Sequence, residues 1–179
     1  MGGSFSFRPR KTGASDAESI ARKIYAPSRQ AGLGFCAAST ALMIECWRIW
    51  NMDRSADWLK QADKDLRAAE DSAAAGHHEW AAFQAQQSAE KAVKGLVQFL
   101  HGSARGHSIT EILRQLPRAV DVPEAFLDAA RELDKVYVTA RYPNGFAAGT
   151  PSDYFTENTS RVLISYGRTI LEFCRSQIH

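Results

Sequence analysis

The stretch Phe83–Leu100, FQAQQSAEKAVKGLVQFL, decides the fold. Wound as a helix, it puts Ala82, Ala85, Ala89, Ala92, Val93, Leu96, Phe99 and Leu100 on one face, following a repeat of about 3.6 residues. Gln84, Gln87, Lys91, Lys94 and Gln98 fall on the other face. Ala, Gln, Glu, Lys and Leu are good helix formers, and Glu90 stands four residues before Lys94, the spacing of a helical side-chain pair. Gly102 follows where a left-handed cap is expected. So many small residues on the apolar face let neighbours come close, which makes this helix the central member of an all-helical bundle.

Working outward, a preceding helix is expected from about Asp53 to Ala75, with a narrow stripe of Leu59, Ala62, Leu66, Ala69 and Ala73 and a stop at Gly76. Asp53 and Asp57 lie in its first turn, where carboxylates favour the positive end of the helix dipole. His77, His78 and Glu79 form the connection. The two adjacent histidines have no third ligand at helical spacing and read as solvated turn residues, not as a metal site. Downstream, Ser108-Ile109-Thr110-Glu111 has the S-x-x-E capping pattern and opens a short helix that Pro117 stops. Pro123 opens the next helix, whose apolar line is Phe126, Ala130, Leu133, Tyr137 and Ala140. That helix ends at Arg141-Tyr142-Pro143, because a residue before proline is pushed out of the helical region. Asn144–Asp153 reads as an ordered, irregular loop, and a last helix near Thr156–Gln177 should bury Val162, Tyr166, Ile170, Phe173 and Cys174. No alternating stretch or hairpin signal pairs two strands. The fold class is all-α, an up-and-down bundle of four long helices plus a short one.

Composition agrees with one folded domain in a chain of 179 residues, 45% hydrophobic and 23% charged. The +2 net charge hides a split: residues 1–51 hold 7 Lys/Arg against 3 Asp/Glu, and residues 52–179 hold 15 against 17. The main body is thus mildly acidic and does not suggest a broad basic nucleic-acid face. Three cysteines (Cys36, Cys46 and Cys174) without tight spacing give neither a disulfide framework nor a zinc site, and fit buried or incidental thiols in a reducing cytoplasm. Residues 1–30 are polar and basic with little periodicity, and the apolar run after Ala31 is broken by Glu45 and Arg48, too short for a membrane span of about 20 residues. The strong helical pattern begins at Met52-Asp53-Arg54-Ser55. Residues 1–51 are therefore expected to be a poorly ordered extension or an over-long start, and residues 52–179 the folded unit.

No phosphate-binding glycine fingerprint, H-E-x-x-H, nucleophile elbow or EF-hand loop is present. One ordered series does carry information: Trp58, Ala62 and Asp65-Leu66; Trp80-Ala81-Ala82-Phe83; Gln86-Gln87; Glu90-Lys91-Ala92-Val93-Lys94; Gly106-His107-Ser108-Ile109; and Ala140-Arg141-Tyr142-Pro143. Over roughly residues 53–178 the series resembles the prokaryotic HEPN domain. The resemblance implies a dimerising helical bundle, encoded beside a minimal nucleotidyltransferase as a toxin–antitoxin pair. In many such proteins it also implies a metal-independent ribonuclease, whose arginine is followed five to seven positions on by a histidine. Arginine would hold the scissile phosphate while histidine moves protons. Arg141 matches the arginine, but Phe146, Ala147 and Ala148 stand where the histidine belongs.

The expected function is accordingly a cytoplasmic, homodimeric HEPN protein that binds a nucleotide or RNA, needs no cofactor or metal, and partners a nucleotidyltransferase. Arg141 is the expected phosphate contact, with Tyr142, Lys94, Lys91 and His107 as neighbours. His107 precedes a helix N-terminus, where free amides favour anions. Arg141 has a plainer alternative, bonding helix-end carbonyls or a carboxylate such as Asp134 or Asp153. Two other functions stay open: a ribonuclease that recruits His107 to Arg141, and a purely structural module whose loop docks a partner.

Overall fold

The computed structural model describes residues 53–178, so the expectations for residues 1–51 and for Cys36 and Cys46 lie outside the described residues. Four long helices form the body: α1 (Ser55–Ala74), α2 (His78–Phe99), α4 (Glu124–Thr139) and α6 (Glu157–Gln177). Two short ones, α3 (Ile109–Arg114) and α5 (Pro151–Tyr154), and a 3-10 turn at Pro143–Gly145 fill the connections, with no strand among the described residues. Among the described residues no helix is long and apolar enough to cross a membrane.

Helix α2 is the centre, packed against α1, α3, α4, α5 and α6. Its alanine stripe is fully buried, and Ala81, Gln86, Ser88, Glu90, Gly95 and Val97 are buried with it. Small residues set the spacing, as expected. A Cβ on Gly167 of α6 would lie 2.9 Å from the Ala85 carbonyl oxygen of α2, and one on Gly95 would lie 3.0 Å from Trp58 Cβ of α1. Ordinary contacts need about 3.4 Å or more, so close approach to backbone requires glycine at Gly167, and at Gly95 a side chain would push Trp58 back by a few tenths of an ångström.

Four local readings need correction. The left-handed residue after α2 is His101 (φ 58°), not Gly102. The amides of His101 and Gly102 bond the Gln98 and Val97 carbonyls at 2.9 and 2.8 Å, a full Schellman cap. His78 is no solvated turn residue: it opens α2, and its Nδ1 lies 3.0 Å from Ser160 Oγ. Ser160 donates its own proton to the Glu157 carbonyl at 3.0 Å, so His78 Nδ1 is the donor of the pair. In α6, Val162 is 36% exposed, and the buried strip runs Ser160, Leu163, Ile164, Gly167, Ile170, Leu171 and Cys174. The apolar pattern misplaced that strip because two of its members, Ser160 and Gly167, are not apolar. Finally, Asn144–Asp153 holds the 3-10 turn and the start of α5, where Asp153 Oδ2 accepts from the Thr150 amide (2.8 Å) and hydroxyl (2.9 Å). Those bonds hold the Asp153 carboxyl below its ordinary range.

Candidate functional site

Helix α2 presents Phe83, Gln86, Gln87, Glu90 and Lys94 along one edge, at steps of three and four residues. Helix α4 answers with Asp134 and Tyr137, and Arg141 follows at the same spacing in the turn just past its end. The loop before α3 brings His107 between the two. Asp134 fixes that loop: its carboxylate accepts from the amides of Ile109 (2.7 Å) and Thr110 (3.1 Å) and from the Ser108 hydroxyl (2.8 Å). Ser108 caps α3 as expected, its Oγ accepting from the Glu111 amide at 3.2 Å. The first amides of α3 are therefore taken by Asp134 and are not offered to an anion beside His107.

Glu90 anchors the site. Its side chain is 6% exposed, and Oε1 accepts from Lys94 Nζ at 2.7 Å, the expected helical pair. His107 Nδ1 lies 3.1 Å from Oε1, and the Gln86 and Gln87 amides reach Oε2 at 3.2 and 3.4 Å. Gln86 also donates to the His107 carbonyl at 3.3 Å, so one buried side chain ties α2 to the loop. A buried carboxylate with several donors is satisfied as burial demands. The His107 imidazole then lies flat on the Tyr137 ring, with centroids 4.5 Å apart and planes at 16°.

Arg141 shares that ring. Its Cζ is 4.6 Å from the Tyr137 centroid, 4.5 Å from Phe83 and 5.0 Å from Tyr142. Cation–π attraction to three rings and a bond from Nε to the Tyr137 carbonyl at 2.8 Å hold the guanidinium in place. Of the plainer partners considered for Arg141, the helix-end carbonyl is present; Asp134 and Asp153 are engaged elsewhere. The terminal amino groups of Arg141 make no hydrogen bond among the described residues. Around it, Tyr142 and Trp80 are half exposed, and Trp80 meets Phe83 edge-on at 6.1 Å.

Four of the five expected residues thus come together: Arg141, Tyr142, His107 and Lys94. Lys91 does not join them; it pairs with Asp65 on the α1 side of α2. Phe146, at the place where a histidine would follow Arg141, stacks on Tyr154 with centroids 4.0 Å apart and packs edge-on to Phe155. Sequence reasoning missed the aromatic wall of Phe83 and Tyr137 and the anchoring role of Glu90. Tyr137 stands four residues before Arg141, and Phe83 seven before Glu90; those helical spacings were the available signal. Among the described residues no three metal-ligating side chains cluster.

Comparison with known proteins adds the family. The model of the HEPN domain matches residues 55–177. The chain is similar to the crystal structure of TT1696 from Thermus thermophilus, with 41% identity, a TM-score of 0.69, and coverage of 70% of this chain and 99% of that one. It is similar to ST0689, an archaeal HEPN homologue, with 41% identity, a TM-score of 0.62 and coverage of 72% and 100%. A HEPN domain protein of Thermotoga maritima, tm0613, follows with 30% identity, a TM-score of 0.55 and coverage of 67% and 95%. A search of curated proteins gives no match. With the family model spanning the whole helical body, the chain belongs to the HEPN domain family.

Proposed function

We propose that this HEPN domain protein binds the phosphate of a nucleotide or an RNA at Arg141, as a homodimeric partner of a minimal nucleotidyltransferase. The observation that carries the reading is the guanidinium itself. Three rings and the Tyr137 carbonyl hold it, leaving its terminal amino groups without protein partners among the described residues. A planar fork fixed in advance loses little entropy when it takes two phosphate oxygens. Tyr142, half exposed beside it, supplies a ring on which a base can stack. Calorimetric titration with mono- and dinucleotides tests the reading. Arg141→Ala should weaken binding by about tenfold to a hundredfold, the worth of a charge-assisted bond of roughly 1.5–3 kcal/mol. Arg141→Lys should recover little, because an ammonium cannot reproduce the fork. Equal binding by wild type and Arg141→Ala overturns it. Co-purification with a co-expressed minimal nucleotidyltransferase, and a mass measurement of the free protein, test the partner and the dimer.

A second reading, RNA cleavage, is favoured by one observation: His107 lies against the same ring as Arg141, with Nδ1 held by Glu90. That orientation leaves Nε2 to exchange protons with a ribose hydroxyl while Arg141 holds the phosphate. Incubation with labelled RNA decides it. Cleavage lost in both His107→Ala and Arg141→Ala supports the reading, and cleavage undiminished in both removes it.

A further inference from the structure

An open groove lies on the α1 side of α2, at the start of α1. Arg54, Trp58, Lys60, Gln61, Lys64 and Lys91 line its volume of about 430 Å³, with one carboxylate, Asp57, in its wall. Its electrostatics can be read pair by pair. Arg54 is held by Asp57 at 2.9 Å, and Lys91 is held by Asp65, which also accepts from Gln61 at 2.8 Å. Both carboxylates are thereby matched. Lys60 and Lys64, one helical turn apart on the exposed face of α1, make no ion pair among the described residues. Two unmatched ammonium groups thus face one groove in a folded body that carries more acidic than basic residues. Trp58, half-buried, provides an indole in the groove wall, seated where Gly95 lets the first turn of α1 lie against α2.

We infer that this groove is a binding site for a single-stranded polynucleotide, Lys60 and Lys64 meeting successive phosphates and Trp58 a base. Cations beside a partly exposed aromatic ring are the combination that tracks a flexible strand without reading its sequence. An acidic peptide would use the lysines but gain little from the indole. The groove also adjoins the Arg141 cluster along one helix. Lys91 lines it, and Lys94, three residues on and about 4.5 Å further along the axis, belongs to the cluster. This extends the proposed RNA reading from a single phosphate to a strand running across α2, and its test separates the two.

Fluorescence anisotropy with a labelled 15-nucleotide single-stranded RNA and the full chain, at several salt concentrations, is the experiment. Lys60→Glu/Lys64→Glu should weaken the 15-mer by tenfold or more. It should also lower the slope of log affinity against log salt by about 1.4, the share of two phosphates on a single strand. Binding of a dinucleotide, which reports Arg141 alone, should not change in that variant. Trp58→Leu should weaken the 15-mer while Trp58→Phe keeps most of the affinity. The groove is refuted if the double variant binds the 15-mer as wild type does, if wild type binds no 15-mer, or if a poly-glutamate peptide binds the groove and RNA does not. Loss of dinucleotide binding in Arg141→Ala, with the groove variants unaffected, overturns the groove and leaves the Arg141 reading intact.

Discussion

Replacing Glu90 with glutamine keeps the shape and removes one charge, so the cost reports the polar network and no cavity. The carboxylate now serves Lys94 and His107 at Oε1 and the Gln86 and Gln87 amides at Oε2. An amide can keep its oxygen toward Lys94, but its amino group then meets two other amino groups. Gln86 cannot simply turn to accept, because its own oxygen already takes the Gln87 amide at 2.8 Å. One buried donor therefore loses its partner, at roughly 1–3 kcal/mol, and the Lys94 bond loses its charged acceptor, about 1 kcal/mol more. His107, with its side chain 53% exposed, recovers water and adds little. The sum is about 3 kcal/mol, which for a chain of this size lowers the thermal midpoint by roughly 6–12 °C. Thermal and urea unfolding of wild type and Glu90→Gln measure it. Repeating the substitution in a Lys94→Met background should reduce its cost, since the charge then has one partner fewer. A midpoint lowered by less than about 2 °C, with no coupling to Lys94, would refute the anchoring role of Glu90.

Three further outcomes are expected. Asp134→Ala removes the acceptor of two α3 amides and the Ser108 hydroxyl and should cost about 1–2 kcal/mol in urea unfolding, with faster amide exchange at Ile109 and Thr110. Burial pushes the Cys174 thiol well above its ordinary range, so peptide mapping should find Cys174 unlabelled by a thiol reagent in native protein and labelled in urea. The Asp153 carboxyl is held below its ordinary value of 3.8 by the Thr150 amide and hydroxyl. Its stabilising share is present above that value and lost as pH falls through the lower, folded value. The difference in urea midpoint between wild type and Asp153→Asn should therefore shrink below about pH 3.8 and be constant near neutrality.

What the chain discloses by itself depends on whether a residue's surroundings come from its own helix. The alanine face of α2, the Ser108 cap and the turn at Pro123 are local and were readable from spacing. Lys94 pairing with Glu90 was readable for the same reason. The burial of Glu90 was not, since it depends on a loop seventeen residues on that places His107 against it. The cap on α3 was half readable: Ser108 is local, whereas Asp134 arrives from another helix. Of the site, Arg141 and Tyr142 were found through the family pattern, but the rings that hold the guanidinium are set by the meeting of α2 and α4. The phase of α6 was missed because a hydroxyl satisfied by His78 and a bare glycine can occupy a buried strip as well as a leucine can.

The Tyr137 ring, flanked by an imidazole from one connection and a guanidinium from the end of its own helix, has a mechanical consequence. Like the pin through two leaves of a hinge, it is the one side chain among the described residues that both groups touch. A ligand that draws Arg141 outward takes one of the two groups packed on the ring, and a change at His107 takes the other. Variation at position 137 should thus alter both partners together, and efforts to retune the site for another ligand have their most economical starting point there.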